Sequence, residues 1–161
     1  MQLKRRWQSF LLGVIGAMAL SSISAVMSSA QAAQTVVLRR GSFNQTIEVE
    51  DLKRLVETDT VPPKLKKLSR MLTTQQRSQL QTALKAKFNI NPVAARKLLN
   101  TEFGNNLSSA LATVTSRQDS VGVQSVETAL ILGARSPEGL SIISFIEAYP
   151  REELSINLDR A

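Results

Sequence analysis

The chain contains neither cysteine nor histidine, and these two absences exclude much of the chemistry open to a protein of this size. Without cysteine there is no disulfide, no lipid-modified thiol and no thiol nucleophile. Without either residue, the zinc ligand sets built on them cannot be assembled. A Ser–His–Asp or Cys–His arrangement lacks its central base. Missing histidine also removes the one side chain whose ordinary pKa lies near neutral pH. Aromatics are scarce, at 4% of residues, and only seven glycines occur among 161 residues. No G-x-S-x-G segment is found, and no low-complexity tract follows the first thirty residues. No metal, cofactor or catalytic residue is expected.

What is present begins with a targeting pattern. Lys4, Arg5 and Arg6 form a short basic start, Phe10 to Leu20 is uncharged and apolar, and small residues lead to Ala30-Gln31-Ala32. That is the order of a secretory signal: an apolar helix held by positive charge on the cytoplasmic side, then small side chains for the peptidase. Residues 1–33 are therefore expected to be an export signal cut near Ala32 or Ala33, leaving the protein periplasmic or extracellular. The alternative is an uncleaved membrane anchor. Phe10 to Met27 is free of charge and just long enough to span a bilayer, although its serines and alanines suit a permanent span poorly. Removing the signal takes away three positive charges, so a net +7 becomes +4. Residues 34–161 then form a single helical domain, long enough for a core without disulfides.

Within that domain the patterning is mainly helical. Thr35–Arg39 and Thr46–Glu50 are two short β-prone runs around "RGSFNQ", which reads as a hairpin with a four- to six-residue loop. "EDLKRLVETD" then puts Leu52, Leu55 and Val56 on one side of a helix. Pro62-Pro63 suits a helix start, and Leu65, Leu68, Met71 and Leu72 follow as an apolar stripe. Thr73 to Gln76 is a capping-box pattern opening a helix to about Lys87, with Leu80, Ala83, Leu84 and Phe88 facing inward. Asn91 caps another helix with Pro92 in its first turn, and Thr101 caps a third. "SRQDSVGVQ" is the most loop-like stretch. Beyond it, Val126 to Ala134 and Gly139 to Tyr149 are the two most apolar segments, the second starting a helix at Pro137. They are expected to form a helical hairpin at the centre of the domain, since a helix apolar nearly all round is a buried one. "LSINLDR" alternates like a strand able to pair with the N-terminal hairpin. The expected fold is mainly α: a compact bundle of about six short helices with a small N-terminal β-hairpin and a C-terminal strand.

The segments "TVVLRRGSFNQTIEVEDLKRLVETD", "LTTQQRSQLQTAL", "NPVAARKLLN" and "LILGARSPEGLSIISFIEAYP" occur in one order over residues 34–161. Together they resemble the N-terminal domain of a cyanobacterial alpha/beta hydrolase family of unknown function. The resemblance implies a secreted helical region that precedes a hydrolase domain thought to act on esters or lipids. This sequence is expected to be a stand-alone copy, stopping at Ala161 where longer relatives continue. No catalytic residue of the hydrolase carries over, because there is no nucleophile elbow and no histidine.

Charge is distributed unevenly. Lys53, Arg54, Lys64, Lys66, Lys67, Arg70, Arg77, Lys85 and Lys87 face only Glu57 and Asp59 within residues 53–87, a net +7. Residues 34–52 come to −1 and residues 88–161 to −2. The nine bases are a candidate surface for an anionic partner such as lipid headgroups or an envelope polymer, and equally a solvated helix face. Nucleic acid is not expected, for want of stacking aromatics. Glu48, Glu50 and Asp51, and Glu152 with Glu153, read as strand and first-turn acids. Ser108, Ser109, Ser120 and Ser125 lack any motif that would make one a nucleophile. Phe88, Phe103, Phe145 and Tyr149 are expected in the core, and Phe43 is expected to fold over the sheet. Three functions follow. The first is a non-catalytic secreted accessory or binding domain that associates with a hydrolase on another chain or with an anionic envelope or membrane surface. The second is the lid or accessory region of an esterase- or lipase-like hydrolase whose catalytic domain is absent from this chain. The third is an enzyme using a carboxylate or Ser–Lys pair.

Overall fold

A computed structural model describes residues 32–115, 117 and 119–160; residues 1–31 of the export signal expected over residues 1–33 lie outside them. Two strands open the fold, β1 (Thr35–Arg40) and β2 (Phe43–Glu48), paired antiparallel from Thr35↔Glu48 to Arg40↔Phe43. The loop is only Gly41-Ser42, shorter than the residue pattern suggests. Gly41 at φ +53° makes so tight a reversal accessible. The chain passes straight from β2 into α1 (Val49–Thr58), so Val49 starts a helix and does not end a strand. Asp59, at φ +54°, closes α1 in the left-handed conformation common at helix ends.

A 3-10 turn (Pro63–Leu65) and α2 (Lys66–Met71) replace the single helix expected after Pro62, and α3 (Thr74–Lys85) follows. The capping box at the head of α3 is formed as its sequence predicts. The Gln76 amide donates to Thr73 Oγ1 at 3.2 Å, and Thr73 donates back to Gln76 Oε1 at 2.9 Å. Asn91 caps α4 (Pro92–Leu99), accepting from the Ala94 amide at 2.8 Å. Thr101 caps α5 (Glu102–Val114), accepting from the Gly104 amide at 3.1 Å. α6 (Ser120–Gly133) starts earlier than expected, because Asp119 caps it and draws half of the loop-like stretch into the helix.

The segment from Pro137 does not begin a helix. Gly139 sits at φ +85° and donates to the Ser136 carbonyl at 2.9 Å, which makes residues 136–139 a turn. A two-residue strand β4 (Leu140–Ser141) then pairs antiparallel with β3 (Lys87–Phe88), and only afterwards does α7 (Ile142–Glu147) form. A Cβ on Gly139 would lie 2.7 Å from the Phe88 carbonyl oxygen, so a side chain there would part the two strands.

Finally β5 (Glu153–Asn157) pairs with β1, in parallel, giving a three-stranded sheet ordered β2-β1-β5. Alternation assigns its faces: Val36, Ile47 and Leu154 share the side turned to the helices and are each under 5% exposed. Val126 and Ala129 of α6, and Ile146 and Tyr149 in and after α7, join them in one core cluster. The two most apolar segments thus reach the centre as expected, although Ile142 stays 40% exposed. Ala33 also belongs to this core, so a cut after Ala32 retains a packed residue that a cut after Ala33 would discard. Other expected core residues lie outside it. Met71, Phe88 and Phe103 are 60–65% exposed, Leu80 is 38% exposed, and Ala83 is exposed. With its inward face reduced to Leu84, α3 lies on the surface and covers little of the core. The mainly helical expectation holds: seven α-helices, a small hairpin and a C-terminal strand are present among the described residues. None of these helices is long and apolar enough to cross a membrane.

Candidate functional site

The nine bases singled out by charge divide into two groups. Lys53 of α1 pairs with Glu147 of α7, Lys64 with Glu48, Lys85 with Asp59, and Lys87 of β3 with Glu138 of the turn before β4. Arg54 lies 4.0 Å from Asp51 one turn earlier in α1. The Glu147 hydrogen bond raises Lys53 above the ordinary lysine pKa, and Glu48 does the same for Lys64. Lys87 in turn holds Glu138 below the ordinary glutamate range. These exposed pairs contribute little to stability each, but they neutralise five of the nine charges.

Lys66, Lys67, Arg70 and Arg77 have no carboxylate at ion-pair distance among the described residues. The first three stand on α2, with Lys66 and Arg70 one turn apart, and Arg77 is in the opening turns of α3. Lys67 holds its ammonium 5.9 Å from the centre of the Phe43 ring, a cation–π distance. Phe43 is half-buried there, at the end of the hairpin nearest α2.

Beside these free bases is a narrow apolar cleft of about 50 Å³. Three short helical segments build it by the same spacing rule. Leu52 and Leu55 face it from α1; Leu65, Leu68 and Leu72 from the 3-10 turn, α2 and the residue after it; Arg77 and Leu80 from α3. Steps of three and four residues put each set on one side of its helix. Leu52, Leu55 and Leu65 are buried at the floor, whereas Met71 close by is 60% exposed. The leucine spacing is visible in the sequence. Convergence of the three stripes is not, because it depends on how the 3-10 turn and α2 fold back over α1.

A second groove, of about 530 Å³, runs between α1, the end of α3 and α7, with the Lys53–Glu147 and Lys87–Glu138 pairs along it. Its hydroxyls are already engaged. Ser141 Oγ accepts from the Ser144 amide at 3.1 Å, and Ser144 Oγ accepts from the Ser141 amide at 2.8 Å, the reciprocal cap of α7. Ser108 is fully buried, Ser125 donates to the Val121 carbonyl at 2.7 Å, and no serine bonds to a lysine among the described residues. Glu48 and Glu153 are in ion pairs, Asp51 is buried in the first turn of α1, and the described residues hold no group of three acids able to bind a metal.

Scored against known protein families, residues 32–157 match the one described as "alpha/beta hydrolase of unknown function". No curated protein and no solved structure matches the chain.

Proposed function

The chain belongs to the alpha/beta hydrolase family of unknown function, and on that premise we propose that residues 34–161 form an exported accessory domain, without catalytic residues of its own, that seats on an anionic lipid surface of the envelope through α2 and the start of α3. One observation carries this reading: four of the nine bases, Lys66, Lys67, Arg70 and Arg77, have no acidic partner among the described residues and stand beside the leucine cleft and the exposed Met71. A lipid interface stabilises that combination twice. Each Lys or Arg near an anionic surface contributes about 1 kcal/mol, and burying an apolar side chain contributes about 1.5–3 kcal/mol. A sequence without histidine or a nucleophile elbow fits a supporting role in a hydrolase family.

The test is cosedimentation of the chain with phosphatidylglycerol and with phosphatidylcholine vesicles at low salt. Binding to the anionic vesicles is expected, weakened on the order of 100-fold in the triple variant K66E/K67E/R70E and reduced by added salt. The triple variant K53E/K64E/K85E serves as comparison, because those bases are already paired. Equal loss in both variants, or equal binding to both vesicles, removes the proposal.

A second reading rests on a different observation. Phe88, Val93 and Phe103, on the consecutive elements β3, α4 and α5, are each over 60% exposed. On this reading the three side chains would serve a second protein, a hydrolase domain supplied by another chain. Salt-resistant capture of a hydrolase from envelope extract, lost in F88S/F103S, would favour it over the lipid surface.

A further inference from the structure

The leucine cleft and the bases beside it carry the surface reading one step further. We infer that the cleft between α1, α2 and α3 receives the hydrocarbon end of a single-chain fatty carboxylate, with Arg77 taking the carboxylate. The inference rests on the surface reading in one respect, that the ligand is an anionic amphiphile.

Three features select this occupant. The cleft walls are leucine from three directions, with Ser69 and Gln81 the only uncharged polar side chains among its lining residues. Its volume of about 50 Å³ holds roughly two methylene-sized groups, each close to a water in volume, which suits the end of a narrow chain and not a ring or a second lipid tail. Charge complementarity supplies the third. Arg77 lines the cleft, has no acidic partner among the described residues, and presents a planar guanidinium matched to a carboxylate. Leu80, which lines the cleft and is 38% exposed, offers apolar surface for the middle of the chain.

The experiment is isothermal titration of the chain with hexanoate, octanoate and decanoate, each below its micelle concentration, and with dodecylphosphocholine as a zwitterionic comparison. Saturable one-to-one binding is expected, tightening up to about fourfold for each methylene removed from water. Arg77→Glu should weaken decanoate roughly tenfold. Ser69→Phe, which fills the cleft from α2, should abolish binding. Leu80→Ala, at a half-open position with little effect on folding, should weaken it several-fold and keeps the test decisive if Ser69→Phe misfolds. Decanoate binding that is absent, or insensitive to all three variants, overturns the inference; vesicle binding that survives such a result leaves the surface reading standing.

Discussion

Asp119 caps α6 by accepting the Gly122 amide at 2.8 Å, and that bond, with Arg117 adding to it, holds its carboxyl below the ordinary aspartate value. Glu138 is lowered in the same sense by Lys87. A group whose folded pKa is lowered stabilises the fold above its ordinary value, and the contribution fades as pH falls through the folded value. Lys53 and Lys64 are raised, so their contribution is present below the ordinary lysine value and is lost as pH rises through the folded one. With no histidine, stability measured by urea unfolding should be level between pH 6 and 8 and fall below about pH 4. Asp119→Asn keeps a good cap but has no proton to gain, so its acid limb should be shallower than the wild type's. An unchanged acid limb would show that the cap does not couple to protonation. The same residue shows a limit of sequence reading. Thr73 announces its cap through Gln76 three positions on, and Asn91 through the Pro92 that follows it, whereas Asp119 lies in a run of polar residues with neither signal after it. Phe88 and Phe103 stand outside the core for another reason: an aromatic ring argues for burial only if the element beneath it faces the core.

At the level of elements, α2 is the weakest. It has six residues, and none is buried. α6 by contrast buries Gly122, Ser125, Val126, Ala129 and Gly133 along one face. Local opening follows burial, so amides of α2 should exchange with deuterium first among the helices and those of α6 last. Slower exchange in α2 when decanoate is added would place the chain end beneath it; exchange in α2 as slow as in α6 would contradict this ordering. The hairpin, the helices and the closing strand were legible because their signals are local: period-two alternation, stripes at three and four, prolines and caps. The strand β4 was not. Its existence depends on Gly139 adopting a positive φ and on the Phe88 carbonyl beside it, fifty residues back in the chain. The same holds for the basic set. Composition counts nine charges, but which of them are cancelled depends on pairings such as Lys53–Glu147 and Lys87–Glu138 that only the fold brings about.

Across the whole molecule, β5 ties the end of the described chain to its beginning. Leu154 is 1% exposed and registers opposite Val36, inside the cluster that also holds Val126, Ile146 and Tyr149. Leu154→Ala should therefore cost about 2–5 kcal/mol in chemical unfolding; a midpoint close to wild type would mean that β5 is dispensable to the core. That the last strand would meet the hairpin was foreseeable from its alternation, but its direction was not, because pattern alone cannot distinguish parallel from antiparallel pairing. The direction has a mechanical consequence. Since β1 and β5 run the same way side by side, a force drawing the front of one away from the back of the other would load all the hydrogen bonds between them at once, in shear, where an antiparallel pair would unzip one rung at a time.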